Sequence, residues 1–303
     1  MKTMRFATLT ALFCSFVAVA ACSSDDPVSP TVHVHAADGA GIFVNAYLVE
    51  TENGVVAIDA MLTVSDALAL RAELDAIGKP LLAVLITHGH PDHYNGVTEL
   101  VRDLDPAPSI VATAGVDAII RRDDASKEAQ WKPVFGDEWP DARTFPGQIV
   151  APGDTIEFDG VPFTVRELGP GESHADAYWI METGNRAAFV GDVVFNGVHS
   201  YLSDGHSAEW LANLDALGPE IADVEIVYPG HGASGGPDML EAQRRYLELY
   251  RDTVADLAQG QSSLTEEAKA SLTATMKEHL PTDRLEFLIA LGADPVAVEM
   301  AAE

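Results

Sequence analysis

Four side chains able to hold a divalent metal, His88, His90, Asp92 and His93, fall within six residues of the string LLAVLITHGHPDHYNG. Imidazole nitrogens together with a carboxylate form a donor set that suits zinc and tolerates iron or manganese. The apolar run just before them, Leu81 to Thr87, is too short for a confident helix and reads as a buried strand of a parallel sheet. The donors therefore begin where a strand stops, the edge of an open α/β sheet at which ligands gather. Gly89 and Pro91 allow a tight, stiff turn at that point, so neighbouring side chains can converge.

HGHPDH followed by Tyr94-Asn95-Gly96 resembles the HxHxDH signature of the metallo-β-lactamase superfamily, and further landmarks occur in order. GPGESHADAYW presents His174, RAAFVGDVVF is expected to end a strand with Asp192, EIVYPGHG carries His231, and Asp59 lies toward the end of GVVAIDAML. The resemblance spans roughly Gly41 to Gly236. It implies that His88, His90 and His174 hold one zinc, that Asp92, His93 and His231 hold a second, and that Asp192 bridges them. It also implies that Asp59 supports a ligating histidine from behind, a common arrangement in which the far ring nitrogen donates to a carboxylate. The fold implied is an α/β structure, the αββα sandwich.

Two cations about 3.5–4 Å apart can share a water, lower its pKa toward neutrality and polarise a carbonyl or phosphoryl oxygen. Asp92 is then expected both to ligate and to orient the attacking hydroxide, with proton return to the leaving group. The expected activity is hydrolysis of a carbonyl ester, lactone, thioester or β-lactam bond in a small molecule. β-Lactamase activity is the narrower alternative. A surface lipoprotein that binds metal or ligand without turnover is the alternative from another class.

Lys2 and Arg5 precede an apolar stretch from Phe6 to Ala20, and Val19-Ala20-Ala21-Cys22 resembles a bacterial lipobox. The stretch falls short of the roughly 18–20 residues a spanning helix needs. The expectation is a signal peptide over 1–21, lipidation at Cys22, a flexible tether over 22–31 and attachment to the cell envelope, at the periplasmic face or the outer membrane. Membrane contact is expected only through that anchor. The two cysteines, Cys14 and Cys22, both fall in this segment, which excludes an intramolecular disulfide, cysteine-ligated zinc and a thiol nucleophile from the folded part. With 18 Lys and Arg against 47 Asp and Glu, the formal net charge is −29. No basic groove for a polyanion can be assembled from pairs such as Arg121-Arg122, so nucleic acid is excluded as a partner.

Strands and helices alternate along the segments that carry these donors. GIFVNAYLVE and GVVAIDAM read as paired strands. TVSDALALRAELDAIGK reads as a helix with Ser65 as N-cap and Gly78 as stop. Helices over 97–104 and GVDAIIRRDDASK flank a strand SIVATA, and a second half runs TIEFDG, PFTVREL, AYWIMET, AAFVGDVVF, SAEWLANLDAL and EIVYP. Such alternation marks an α/β layered domain, expected over 32–236. Gln130 to Gly147, rich in tryptophan, proline and acids, reads as a surface loop or a lid. A helical extension over 237–303 is expected to pack on the sandwich, cover the site or form a homodimer surface.

His199, Tyr201 and His206 follow Asp192 and are expected near the pocket, as supports or substrate contacts, with Tyr201 able to donate to an oxyanion. His33 and His35 read as surface residues and His279 as a helix-terminal cation. A serine hydrolase is set aside for want of a nucleophile elbow.

Overall fold

Alternating apolar residues over 44–58 and the β-branched run of residues 81–85 build the first of two sheets. The structure, a computed structural model, describes residues 29–303; the expected signal peptide, Cys22 and most of the tether lie outside them. The first sheet contains β1 (Thr31–Ala36), β2 (Asn45–Glu50), β3 (Val55–Ile58), β4 (Leu81–Leu85), β5 (Ser109–Thr113) and β6 (Gln148–Val150), side by side in sequence order. β1 to β3 pair antiparallel and β3 to β6 parallel. The tether expected to reach residue 31 stops sooner, because Thr31 already pairs with Glu50.

The second sheet contains β7 (Thr155–Phe158), β8 (Val161–Gly169), β9 (Asp176–Met181), β10 (Ala187–Asn196) and β11 (Ile226–Gly232), in the order β11-β10-β9-β8-β7. β9 shows how the two layers are sealed. Its odd residues Ala177, Trp179 and Met181 join the core shared with the first sheet and its helices, while Tyr178 and Ile180 face a second core on the outer side. A strand buried on both faces has to be apolar throughout, and DAYWIM nearly is.

Outside the first sheet lie α1 (Val64–Ile77), the short α2 (Pro91–Tyr94) and α3 (Val97–Val101), and α4 (Ala114–Phe135). Thr63, not the expected Ser65, caps α1: its hydroxyl accepts from Asp66 N and donates to the Asp66 carboxylate, while Ser65 bonds Glu138. Gly78 ends α1 in the left-handed region as expected. α5 (Ser207–Glu220), α6 (Met239–Ala258), α7 (Glu266–His279) and α8 (Phe287–Ala302) cover the outer face of the second sheet, and α6 to α8 share one core with β9, β10 and α5. Layers therefore run helix, sheet, sheet, helix. No described helix is long and apolar enough to cross a membrane.

The helix expected to stop at Lys127 runs two turns further, so the first part of the supposed loop at 130–147 is helical. Trp131 lies on that extension, and Trp139 is buried just after it.

Candidate metal centre

The donors converge on one place from several elements, and Asp192, expected at a strand end, lies inside β10, which runs on to Asn196. β4 stops at Leu85, and the following turn leads to His88 and His90, the latter just before α2 with Pro91 at its first position. α2 carries Asp92 and His93, β10 carries Asp192, and β11 carries His231. The parallel register of β10 and β11 slips between Phe189 and Gly191 and again before Phe195, and this irregularity sets Asp192 beside His231. Two glycines make room for it. Gly191 adopts φ +52° against Thr87, and a Cβ at Gly230 would stand 1.8 Å from Asp192 Oδ1.

The donors form two adjoining groups, Asp92, His93, Asp192 and His231 in one and His88, His90 and Glu172 in the other; within each, one donor atom per residue lies within 4.8 Å of all the rest. Asp192 lies between them: its carboxylate is 3.2 Å from His93 Nε2, 3.3 Å from His231 Nε2 and 3.9 Å from His88 Nε2. Asp92 Oδ2 is 3.2 Å from His231 Nε2 and 3.6 Å from His93 Nε2. All seven residues are buried.

Six of the seven expected donors meet here; His174 does not. Its side chain is about one-third exposed, its Nδ1 is 2.8 Å from His206 Nε2, and its Nε2 is 3.6 Å from Asp204. Glu172, two residues earlier, takes the place reserved for it, at 3.0 Å from His90 Nδ1 and 3.5 Å from His88 Nε2. The cause is the turn between β8 and β9. Asp176 accepts from the backbone N–H of Glu172 and of Ser173 and from the Ser173 hydroxyl. That clasp turns Glu172 inward and leaves His174 on the outer side.

Each ring is fixed from behind. Asp59, with φ +60°, accepts from Thr87 N and Thr87 Oγ1 and lies 2.7 Å from His93 Nδ1, so Nε2 of His93 faces the donors. His231 Nδ1 donates to the Ile42 carbonyl. His90 Nε2 meets Asp204 at 3.1 Å, and the Tyr201 hydroxyl donates to the other oxygen of that carboxylate. Tyr201 thus holds Asp204 and sets its ring edge-on to His90, which uses the hydroxyl expected for an oxyanion. Asp204 was invisible in the sequence because nothing in LSDGHS marks it. His206 pairs with His174 and stays out of the cluster. His199 is buried elsewhere, between Tyr246 and the Thr282 carbonyl, and ties β10 to the C-terminal helices.

The electrostatics describe a site built for cations. Burial would raise the Asp192 carboxyl, but the His231 and His93 imidazoles hold it well below the usual range. Burial pushes Glu172 up to about 8 against the pull of His90, and it pushes His88 well down. His90 is raised to about 10, since Glu172 and Asp204 outweigh its burial. Five buried atoms, His88 Nε2, His93 Nε2, both Glu172 oxygens and Asp192 Oδ1, have no hydrogen-bond partner. Buried polar atoms left so cost free energy unless something binds them, and imidazole and carboxylate in convergence fit divalent metal. The residues present therefore fit two cations.

The family model of the metallo-beta-lactamase superfamily matches residues 39–231. The chain belongs to that superfamily. It is 33% identical over 115 residues to the uncharacterized protein YobT of Bacillus subtilis, a match covering 37% of this chain and 48% of that one. With a hydroxyacylglutathione hydrolase of Aeromonas salmonicida it shares 25% identity over 185 residues, 61% of this chain and 59% of the relative. The chain thus spans about half to three-fifths of these relatives' length. A metallo-beta-lactamase from Pontibacter korlensis superposes with a TM-score of 0.55 at 17% identity, covering 68% of this chain and 87% of that one, a likeness of fold.

A serine hydrolase is excluded by geometry, not by the lack of an elbow string. Gly232-Ala233-Ser234-Gly235-Gly236 does spell G-x-S-x-G between β11 and α6. Ser234 is exposed on that loop, and no histidine bonds its hydroxyl, so it lacks the base a serine nucleophile requires.

Proposed function

We propose that the chain is a metal-dependent hydrolase that holds two divalent cations, zinc foremost with iron or manganese as alternatives, and cleaves a carbonyl ester, lactone, thioester or β-lactam bond in a small molecule. The observation that carries this reading is the convergence of buried, unpartnered donor atoms of His88, His93, Glu172 and Asp192, of which Glu172 and Asp192 also line an open cavity. The ligand set is His88, His90 and Glu172 for one cation and Asp92, His93 and His231 for the other, with Asp192 between. When bound, such a pair supplies Lewis acidity and a water acidic enough to be a nucleophile at neutral pH.

The chain's own residues do the rest. Asp59, Asp204 and the Ile42 carbonyl keep the rings from rotating, so little reorganisation accompanies the reaction. Asp92 reaches the cavity and carries a carboxylate held well below its ordinary range, where burial is outweighed by His93 and His231. It is placed to accept a hydrogen bond from an incoming water and so orient it. Metal analysis combined with a panel of chromogenic β-lactam, lactones, aryl esters and thioesters tests the reading. Two equivalents of metal with turnover of at least one class is expected, and Asp92→Asn is expected to keep the fold and lose nearly all turnover. Two equivalents without turnover of any class favours a binding role.

Export and lipid attachment are proposed on the N-terminal pattern alone, which lies outside the described residues. Palmitate labelling in a bacterial host checks it: label is expected on the full chain and absent from Cys22→Ser, and equal labelling of both contradicts attachment at that sulfur.

A further inference from the structure

The cavity above the donors has a volume of about 860 Å³, near the upper end of pockets that enclose a drug-sized ligand. Its floor includes His90, Asp92, Glu172, Asp192 and His231. Its walls are different in character. One wall comes from the C-terminal half of α4, where Lys127, Trp131, Val134 and Phe135 recur at i, i+4, i+7 and i+8 and all line the cavity. An apolar stripe at that spacing normally packs into a core. Here only Val116 and Ile120, in the first half of α4, are buried, and Val134 is 69% exposed. The stripe therefore faces the cavity. Opposite it, Leu285, Phe287 and Leu288 reach in from the start of α8, with Phe287 53% exposed, and Ile42 and Leu62 complete the apolar lining.

The polar lining is largely committed. Asp38 accepts from Ala40 N, Asp66 closes the α1 cap and Glu138 bonds Ser65. Lys127 is the one Lys or Arg in the lining, with its ammonium 5.6 Å from the Tyr201 ring centre. A polar, multiply charged substrate would find one cation and several carboxylates on these walls. An extended apolar group would cover Trp131, Phe135 and Phe287, which are otherwise left to water.

We propose that the substrate of this site carries a medium-length fatty acyl chain, seated between the second half of α4 and the start of α8, with its carbonyl at the donor cluster. The inference rests on the hydrolase reading and narrows it. It sets this chain apart from relatives named for a glutathione thioester, whose tripeptide part is polar and anionic.

Metal-loaded full chain assayed on p-nitrophenyl esters from acetate to dodecanoate tests the proposal. kcat/KM is expected to climb with chain length toward decanoate, by up to about fourfold per methylene, the factor for burying one CH2. Trp131→Ala and Phe287→Ala are each expected to cut the decanoate-to-acetate ratio about tenfold, with folding checked by thermal melting. A flat or falling series with clear acetate turnover overturns the proposal and leaves the hydrolase reading standing. If no ester turns over, titration with hexanoate and decanoate, read by tryptophan fluorescence, decides. Tighter decanoate binding whose signal disappears in Trp131→Phe supports the apolar seat, and equal or undetectable binding of both acids overturns it.

Discussion

The two donor groups differ in how far the protein completes them by itself. In the group of Asp92, His93, Asp192 and His231, carboxylates and imidazoles lie 3.2–3.6 Å apart, and the rings are anchored by Asp59 and a strand-flanking carbonyl deep in the sandwich. In the group of His88, His90 and Glu172, the carboxylate comes from a turn and is pushed up by burial against the pull of His90, and the His90 anchor Asp204 sits on a loop. Both groups set carboxylates against imidazoles, Glu172 lying 3.0 Å from His90 Nδ1, but only the first draws its carboxylates from regular strand and helix. The other takes its carboxylate from a turn and its ring anchor from a loop, so it should bind more weakly and exchange faster.

Removing the residue common to both groups should have the largest effect. Asp192→Asn is expected to lose both cations and about 10³-fold or more in kcat/KM, the scale of several kcal/mol of electrostatic stabilisation; metal analysis after gel filtration checks it. Next comes the pair that separates Glu172 from His174. Glu172→Ala should retain one equivalent of metal, whereas His174→Ala should retain two, and the reverse pattern would restore His174 to the ligand set. Smaller still are the anchors. Asp59→Asn and Asp204→Asn should each weaken metal affinity about 10–100-fold, the former in the tight group and the latter in the weak one, resolved by two-phase chelator competition.

The smallest effect expected is on pH dependence without metal. Glu172 is raised to about 8 and His90 to about 10, so the folded chain holds protons that the unfolded chain has released. Stability of the metal-free protein should therefore fall as pH rises from about 4.5 through 8. Urea melts across that range check it, and Glu172→Gln, which cannot ionise, should flatten the fall.

Much of this was legible because it obeys short-range rules. Strand alternation and the crowded string His88 to His93 marked the first sheet and its edge, and Asp192 and His231 were findable as the donors in or after the apolar runs AAFVGDVVF and EIVYP. Glu172 was missed because a histidine two residues later drew the assignment, and only the Asp176 clasp, a turn contact, decides which of the two faces inward. Asp204 was missed because its role arises from a contact 114 residues away. α4 was cut short because Pro133, Trp131 and the acids around them read as a loop, yet Pro133 is accommodated on the exposed side of the helix.

The central claim, two adjoining cation sites with Glu172 as a ligand, is tested most directly by anomalous diffraction from crystals of the metal-loaded chain. The expected result is two peaks, one in contact with His88, His90 and Glu172 and the other with Asp92, His93 and His231, both touching Asp192. A single peak, or a first-site ion bound through His174 with Glu172 turned away, would contradict the account.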